Sequence, residues 1–181
     1  MKEQNGKKGF TLWFTGLSGA GKSTIADALA PILRDRGLKV ERLDGDIVRK
    51  SLTKDLGFSM EDRKLNIERV TFVAKLLTRN GVAVLASFIS PSIEVRNESR
   101  NEIGNFIEVF VKASLDACIE RDVKGLYKKA LAGEIKDFTG IHDTAPYEQP
   151  PTPELVLDTE KLSVEECIEK IIAKLEELQY L

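Results

Sequence analysis

One eight-residue segment constrains the fold of this chain more than any other. The segment Gly16–Ser23, GLSGAGKS, fits the pattern G-x-x-x-x-G-K-[S/T]. The apolar run Phe10–Thr15 before it is typical of a buried strand, and the residues after it predict a helix from Lys22 to about Arg36. A glycine-rich loop in this context offers backbone N–H groups and a helix N-terminus to an anion. The segment therefore predicts a phosphate-binding loop in an α/β fold.

The residue types of this loop match the needs of nucleotide binding. The glycines let the backbone wrap around phosphates, Lys22 is expected to reach the β- and γ-phosphates, and the Ser23 hydroxyl is expected to ligate Mg²⁺. The residues expected to bind the nucleotide are Gly16, Leu17, Ser18, Gly19, Ala20, Gly21, Lys22, Ser23 and Thr24. A glycine-rich turn that precedes a helix by chance is the plain alternative, but the predicted strand and helix around it favour a functional loop.

Strand and helix patterns alternate along the rest of the chain. Further strands are predicted at Leu38–Leu43, Val82–Ser87, Phe106–Val111 and Leu155–Leu157. Helices are predicted from Ser59 to a C-cap at Gly81, from Pro91, from Ser114 to Glu120 and from Ser163. This alternation predicts an α/β fold with a mostly parallel five-stranded sheet and helices on both faces. The stretch Lys124–Pro153 lacks clear periodicity, as is typical of a lid or a binding loop.

Composition disfavours several classes of protein. A length of 181 residues fits one domain, 1–181. A net charge of −2 argues against a nucleic-acid-binding domain, which is usually basic. Two distant cysteines and a single histidine do not suggest a disulfide framework or a zinc site. No apolar run approaches the length of a membrane span, and Met1–Lys8 lacks the apolar stretch of a signal peptide, so we expect a cytoplasmic protein.

Two carboxylates follow the second predicted strand, in Asp44–Asp46, whose composition predicts a turn. In open α/β sheets ligands bind at the carboxyl ends of strands, so these side chains are expected beside the phosphates, where they suit Mg²⁺ and an acceptor hydroxyl. A GTPase switch is the natural rival. It normally carries an N/T-K-x-D element late in the chain, whereas Thr53–Asp55 lacks that spacing and lies too early.

Two arginines, an asparagine and an aromatic residue follow the carboxylates. Arg49 lies one helical turn beyond Asp46, and Arg63 opens the next predicted helix with Asn66 on the same face. Phe58 precedes that helix. Guanidinium forks suit planar anions, and exposed phenylalanines suit flat bases. Taken singly, Phe58 is better explained as a hydrophobic staple and each arginine as a surface charge. Together these residues suggest an acceptor with both an anion and a ring.

Seven short segments of the sequence indicate one protein family more specifically than the phosphate loop alone does. In chain order they are WFTGLSGAGKST, DGDIVR, LGFSMEDRKLNIERV, SFISP, KGLYKKA, DFTGI and PYE. In these strings the chain resembles the adenylylsulfate kinase family over essentially its whole length. The resemblance implies a P-loop kinase fold with a lid at about 124–153. It also implies Mg²⁺-dependent transfer of the γ-phosphate of ATP to the 3′-hydroxyl of adenylyl sulfate, giving 3′-phosphoadenylyl sulfate and ADP in sulfate activation. A homodimer is expected from the family, and members occur fused to a sulfurylase domain, so a free enzyme and one domain of a bifunctional protein both stay open.

Matching positions carry the family's site residues onto this chain. Asp46 is implied near the acceptor hydroxyl and the metal, with Lys22 and Ser90 as the other catalytic positions, and Ser23 is implied as a metal ligand. Ser90 matches a position that the family describes as a phosphoserine. Since transfer in P-loop kinases is usually direct, we expect a substrate contact there and no obligatory nucleophile.

The resemblance also implies a set of substrate-binding residues. They are Asp44, Arg49, Phe58, Arg63, Asn66, Ile89, Lys124 and Phe138. Phe58 and Phe138 are implied to sandwich the adenine, and Lys124 is implied in the lid.

The chain departs from the family pattern at three places. Residues 66–69 read NIER where NIRR is usual, so Glu68 replaces an arginine. Residues 128–131 read KKAL where KKAR is usual, so Leu131 replaces another arginine. The third departure is GIHDTAPYE, where GIDDPYE is common. His142 lies in the altered stretch and is expected to be an exposed lid residue and not a catalyst. On the residues alone two rivals stay open: a P-loop kinase with another small acceptor, such as a nucleotide or a sugar acid, and a nucleotide-dependent regulatory module.

Overall fold

A parallel β-sheet forms the centre of the structure, a computed structural model that describes residues 8–181. Its strands are β1 (Phe10–Thr15), β2 (Lys39–Asp44), β3 (Val82–Ser87), β4 (Phe106–Lys112) and β5 (Leu155–Asp158). They lie in the order β2-β3-β1-β4-β5, and every neighbouring pair is parallel. The predicted five-stranded sheet is confirmed. Of the leader Met1–Lys8, only Lys8 belongs to the described residues.

Helices connect and cover the strands within residues 8–181. They are α1 (Lys22–Asp35), α2 (Gly45–Lys50), α3 (Met60–Arg79), α4 (Ile93–Ile103), α5 (Leu115–Arg121), α6 (Leu126–Leu131) and α7 (Val164–Glu177). The predicted caps Ser59, Ser114 and Ser163 each accept a backbone N–H bond in the first turn of α3, α5 and α7. Within the part of the chain that is described, no helix is both long and apolar enough to cross a membrane.

Two local predictions are wrong. Asp44–Asp46 is not a free turn: Asp44 ends β2 and caps α2 by accepting a hydrogen bond from the Asp46 N–H. Pro91 does not lie in the first turn of α4, because the Ser92 hydroxyl caps that helix and Pro91 precedes the cap. In both cases a side-chain oxygen that satisfies a free backbone donor sets the helix start.

Apolar clusters cover both faces of the sheet. One cluster joins α1 and α7 to the sheet, and the other joins α3 and α4 to it. Consecutive β1 residues Leu12 and Trp13 belong to different clusters, as expected for a strand whose side chains alternate between two covered faces. This explains why the central strands are almost continuously apolar.

The parallel arrangement gathers the functional segments at one edge. The strand ends Thr15, Asp44 and Ser87 lie side by side at the carboxyl edge of the sheet, because β1 and β2 both pair with β3. The phosphate loop, α2 and the segment after β3 all start there. This is the edge at which open α/β sheets bind ligands.

The stretch Lys124–Pro153 is more ordered than its sequence predicts. It contains α6, and it buries Tyr127, Phe138 and Ala145. A six-residue helix is too short to show a periodic pattern, so it escapes detection from sequence.

Candidate active site

The loop after β1 has a backbone that requires glycine. Gly16 has a φ of 150°, and a Cβ there would collide with the Val111 carbonyl oxygen. Gly21 caps α1 with a φ of 105°. Both glycines let the chain turn tightly from β1 into α1, so that the start of α1 faces the space above the loop.

Lys22 folds back over this loop. Its Nζ donates to the carbonyl oxygens of Gly16 and Leu17 at 2.9 and 2.7 Å. Burial, and then the nearby Lys124 charge, lower the pKa of Lys22 to about 8. A buried ammonium held only by neutral carbonyls gains strongly from an anion, so this site favours phosphate binding.

Ser23 and Asp44 form the polar end of the loop. The Ser23 hydroxyl donates to Asp44 Oδ2 at 2.6 Å, and the Asp46 N–H donates to Asp44 Oδ1 at 3.0 Å. Burial raises the pKa of Asp44, but these two hydrogen bonds and the Arg42 charge outweigh it, and the net pKa is lowered. Asp44 is therefore ionised at neutral pH.

Arg42 is a functional neighbour that sequence reasoning missed. Its guanidinium lies 3.8 Å from Asp44 Oδ2 and is held by Asp27 Oδ1 at 2.8 Å and by the Leu85 carbonyl oxygen at 3.0 Å. Nothing in the pattern of β2 distinguishes it from a solvated strand residue. Only the pairing of β2 with β3 reveals that it supports Asp44.

The Ser23 hydroxyl and the Asp44 carboxylate fit Mg²⁺, because both are hard oxygen donors. Among residues 8–181, no cluster of three or more His, Cys, Asp or Glu side chains could hold a metal ion by itself. Kinase sites need only one or two protein ligands, since phosphate oxygens and waters complete the shell of Mg²⁺. Asp46, the predicted metal ligand, instead contacts the Lys124 ammonium, so Asp44 is the carboxylate beside Ser23.

The Asp46–Lys124 ion pair joins α2 to the start of the predicted lid. Both side chains are about half exposed. The structure thus brings together two residues that the resemblance assigned separately, one to the acceptor hydroxyl and one to the lid. Solvent screens such an exposed pair, so its stabilising effect is small and it can separate easily.

Arg49, Phe58 and Arg63 form a second polar cluster. The Arg49 guanidinium lies 4.3 Å from the centre of the Phe58 ring and donates to the Gly57 carbonyl oxygen at 2.8 Å. Arg63 donates to the Phe58 carbonyl oxygen at 2.8 Å. Burial lowers the pKa of both arginines, and for Arg63 the Arg49 charge adds to the effect. Two neighbouring, partly buried cations favour an anionic ligand.

Arg63 also reaches the lid. It donates to Thr139 Oγ1 at 2.6 Å and to the Asp137 carbonyl oxygen. One guanidinium therefore links the residues on either side of Phe138 to the backbone at Phe58.

The predicted adenine sandwich is not assembled in this structure. Phe58 is 64 % exposed, whereas Phe138 is 9 % exposed. The Phe138 ring packs edge-on against Tyr127, with 5.0 Å between ring centres. Phe138 is therefore packed inside the lid, whereas Phe58, which precedes α3, is exposed on the surface of the protein.

His142 is a structural residue of the lid. It is half-buried, so the prediction that it is exposed is wrong. Its Nδ1 accepts a hydrogen bond from the Phe138 N–H at 2.9 Å, and its own N–H donates to the Phe138 carbonyl oxygen at 3.2 Å. These bonds close the turn that places Phe138.

Two further predicted site residues are buried, Asn66 from the substrate-binding set and Ser90 from the catalytic set. Asn66 is 4 % exposed, and its Oδ1 accepts a hydrogen bond from the Thr53 hydroxyl at 2.7 Å. Ser90 is 2 % exposed, and its Oγ accepts from the Trp13 indole N–H at 3.1 Å. The Ile89 carbonyl oxygen accepts from the Thr15 hydroxyl at 2.7 Å. The Ser90 hydroxyl and the Asn66 side-chain amide thus each have a hydrogen-bond partner within the protein.

Glu68 and Leu131, at which the sequence differs from the usual family motifs, both lie on the surface. Glu68 is exposed on α3, and Leu131 ends α6 with 61 % of its surface exposed. Neither contacts the loop, the carboxylates or the arginine cluster through a hydrogen bond or ion pair described for residues 8–181.

Comparisons with known proteins agree with this geometry. The family model for adenylylsulphate kinase matches residues 8–158. A Pseudomonas aeruginosa protein named "probable adenylyl-sulfate kinase" is 65 % identical over 92 % of this chain and 77 % of its own length. The adenylyl-sulfate kinase of Rippkaea orientalis is 61 % identical over 100 % of this chain and 97 % of its own length.

A solved structure gives the same fold. The Mycobacterium tuberculosis APS kinase in complex with AMPPNP and APS superposes with a TM-score of 0.88 at 44 % identity, covering 93 % of this chain and 98 % of that one. Longer relatives exist as well. A Sorangium cellulosum protein named "probable bifunctional SAT/APS kinase 2" is 57 % identical over 95 % of this chain and 29 % of its own length.

Proposed function

The chain belongs to the adenylylsulphate kinase family, and on that premise we propose that it transfers the γ-phosphate of ATP to the 3′-hydroxyl of adenylyl sulfate. The products are 3′-phosphoadenylyl sulfate and ADP. The observation that carries the proposal is the meeting, at one edge of the sheet, of a phosphate loop and the Asp46–Lys124 pair.

The donor side is built from the loop and α1. The loop N–H groups and the N-terminus of α1 bind the phosphates, and Lys22 leaves the carbonyls of its own loop to neutralise charge on the γ-phosphoryl group. The Ser23 hydroxyl and the Asp44 carboxylate would hold Mg²⁺, which would supply neutralisation of the phosphate charge. The Ser23 and Asp46 hydrogen bonds, and after them the Arg42 charge, lower the pKa of Asp44 and so favour the ionised carboxylate.

The acceptor side is built from α2, α3 and the lid. Asp46 orients the 3′-hydroxyl and accepts its proton, which requires Lys124 to release the carboxylate and move towards the phosphates or the sulfate. Arg49 and Arg63 bind the anionic part of adenylyl sulfate, and Phe58 stacks on its adenine. Positioning and electrostatics therefore do most of the catalysis.

Stacking of Phe138 on the opposite face of the adenine requires a movement. Phe138 must leave its contact with Tyr127, or the lid must shift as a unit with Arg63. Asn66 acts through Thr53 in this proposal, because its oxygen is already bonded there. Such movements couple closure of the lid to acceptor binding and exclude water from the γ-phosphate.

We further propose that transfer is direct and that Ser90 is no nucleophile. The Ser90 hydroxyl is buried and accepts a hydrogen bond from the Trp13 indole. Attack on a phosphorus atom would need that hydroxyl exposed beside a base. Its burial supports a role in shaping the acceptor side.

The domain organisation, oligomeric state, location and functional partner are further parts of the proposal. We propose a single domain over residues 1–181 with a lid at about 124–153, acting as a homodimer in the cytoplasm. The bifunctional Sorangium relative supports a sulfurylase as a functional partner. A solved APS kinase of Thiobacillus denitrificans, of which this chain covers 30 %, is hexameric and supports an oligomer; size measurement in solution distinguishes a dimer from a hexamer.

A coupled ADP-release assay tests the reaction. ADP should form rapidly with ATP and adenylyl sulfate together and slowly with ATP alone, and Lys22→Ala should abolish the difference. Rapid release with a sugar acid or a nucleotide in place of adenylyl sulfate would identify another small-molecule kinase. Nucleotide binding without release under any condition would identify a regulatory module.

A further inference from the structure

Ser90 has a backbone conformation that is rare for a residue with a side chain. Its φ is 45°, in the left-handed region, and the residue is buried. A non-glycine residue is strained there, and such strain persists only where the surroundings hold the residue in place. Ser90 follows β3 at the edge that carries the phosphate loop. The contacts that hold this residue are therefore part of how the site is built.

Side chains from two other elements hold the dipeptide Ile89–Ser90. From β1, the Trp13 indole N–H donates to Ser90 Oγ at 3.1 Å and the Thr15 hydroxyl donates to the Ile89 carbonyl oxygen at 2.7 Å. From α4, Arg96 Nη1 donates to the Ser90 carbonyl oxygen. Both carbonyls and the side chain of this dipeptide are thus fixed by residues distant in sequence.

A third segment, the end of the lid, joins this arrangement through Tyr147. The Tyr147 hydroxyl lies 2.9 Å from Thr15 Oγ1. Since a carbonyl oxygen can only accept, the single hydroxyl proton of Thr15 is used on Ile89, and Tyr147 must be the donor to Thr15. Burial raises the pKa of Tyr147 to about 12, so the phenol keeps its proton at neutral pH. We call this chain of bonds, Tyr147 to Thr15 to Ile89, the tyrosine relay.

Arg96 of α4 also holds the end of the lid, at the residue after Tyr147. Its Nε donates to Glu108 Oε1 at 2.7 Å, and its Nη2 donates to the Glu148 carbonyl oxygen at 2.7 Å. Arg96 is 2 % exposed, and a buried guanidinium of this kind is tolerated only when its charge and its donors are matched. One side chain thereby joins Ser90 to the residue that follows Tyr147.

We propose that Tyr147 and Arg96 are positioning residues for the acceptor side of the site. They hold Ile89–Ser90 in its strained conformation and fasten the end of the lid to the strand that leads into the phosphate loop. The inference rests on the proposed function, in which the Ile89–Ser90 backbone borders the acceptor. It follows that the lid is anchored at Tyr147 and moves from its Lys124 end, where the exposed pair with Asp46 can separate.

The variant Tyr147→Phe tests the relay with the smallest change. It removes one hydroxyl and keeps the ring that stacks on Phe110 at 6.1 Å. Tyr180→Phe is the matched control, because it removes the same group from a tyrosine that packs on Phe10, away from Ser90. We expect kcat/KM for adenylyl sulfate to fall about five- to tenfold in Tyr147→Phe, the effect of one lost positioning hydrogen bond, while the KM for ATP and the melting temperature stay close to those of the control.

Trp13 provides a readout that does not depend on activity. It is the single tryptophan of the chain, and its indole N–H is bonded to Ser90. If the relay holds Ser90, selective tryptophan emission and its quenching by acrylamide change in Tyr147→Phe and not in Tyr180→Phe. Unchanged emission together with unchanged kinetics in Tyr147→Phe would overturn the proposal.

The double variant Thr15→Val/Tyr147→Phe tests whether the bonds form one chain. Thr15→Val breaks both bonds at their shared atom, so adding Tyr147→Phe should cause little further loss; independent, additive losses would overturn the relay. Inactivity of the unaltered protein with adenylyl sulfate would instead overturn the proposed function. The tryptophan measurement would still decide the relay in that case.

Discussion

Replacement of His142 by alanine removes the acceptor of one backbone N–H inside the lid. The Phe138 N–H donates to His142 Nδ1 at 2.9 Å, and the two residues also share the bond from the His142 N–H to the Phe138 carbonyl oxygen. The side-chain bond therefore adds to two backbone bonds in this turn, in which the N–H groups of Ile141 and His142 donate to the Phe138 carbonyl oxygen. Its loss should loosen the turn without unfolding the domain.

The size of the effect follows from the partial burial of this bond. An unsatisfied, partly buried N–H costs about 1–2 kcal/mol. This corresponds to a factor of about 5–30 in the population of the locally opened turn. Because the bond lies in a turn of the lid and not in the sheet, the free energy of global unfolding should change less than the free energy of this local opening.

His142→Asn is the matched variant, because the asparagine Oδ1 is as many bonds from the backbone as Nδ1 of histidine and can accept the same hydrogen bond. Amide hydrogen exchange at Phe138 and trypsin cleavage at Lys136, two residues before it, measure the opening. We expect both to accelerate in His142→Ala and to stay near those of the unaltered protein in His142→Asn. Equal behaviour of the two variants, fast or slow, would refute the argument that this hydrogen bond holds the turn.

Three further predictions concern the site. Because the pKa of Lys22 is lowered to about 8, Lys22 loses its charge above that pH, and ATP affinity in calorimetric titrations should fall by up to about tenfold per pH unit. The variant Lys22→Arg stays charged, so its ATP affinity should not change with pH. An ATP affinity that does not change with pH in the unaltered protein would contradict this prediction. Ser90→Ala should keep measurable turnover in the ADP-release assay, since the hydroxyl is bonded to Trp13; complete loss of activity, or a kinetically competent phosphoenzyme at Ser90, would show otherwise. Phe138→Ala should weaken adenylyl sulfate binding about tenfold or more, with a smaller effect on ATP, and unchanged acceptor affinity would remove Phe138 from the site.

Most of the fold could be predicted from sequence because its signals are local. All five segments predicted as strands are strands in the structure, with ends that match the prediction or differ from it by one residue. The helices α2 and α6 were not predicted, because six residues are too few for a periodic pattern. The cap at Asp44 shows the same limit, since Asp and Gly are equally typical of a turn and of a helix start.

In the site, as in the fold, the residues that belong to a local sequence motif could be predicted, and those whose role depends on distant contacts could not. The phosphate loop is a contiguous motif, so Lys22 and Ser23 could be predicted from eight residues. Arg42 and Tyr147 could not, because their significance depends on contacts across β2–β3 and between the lid and β1. The burial of Phe138 depends on Tyr127, eleven residues earlier in a stretch without a pattern.

A single-turnover experiment with γ-labelled ATP tests the central claim most directly. Enzyme, labelled ATP and adenylyl sulfate are mixed, quenched at short times, and separated into nucleotide and protein fractions. The account predicts that label leaves ATP and enters the 3′-position of adenylyl sulfate at the same rate, with none on the protein at any time, and that Lys22→Ala slows both steps together. Label that reaches the protein before the nucleotide, or that never enters adenylyl sulfate while ADP accumulates, would contradict it.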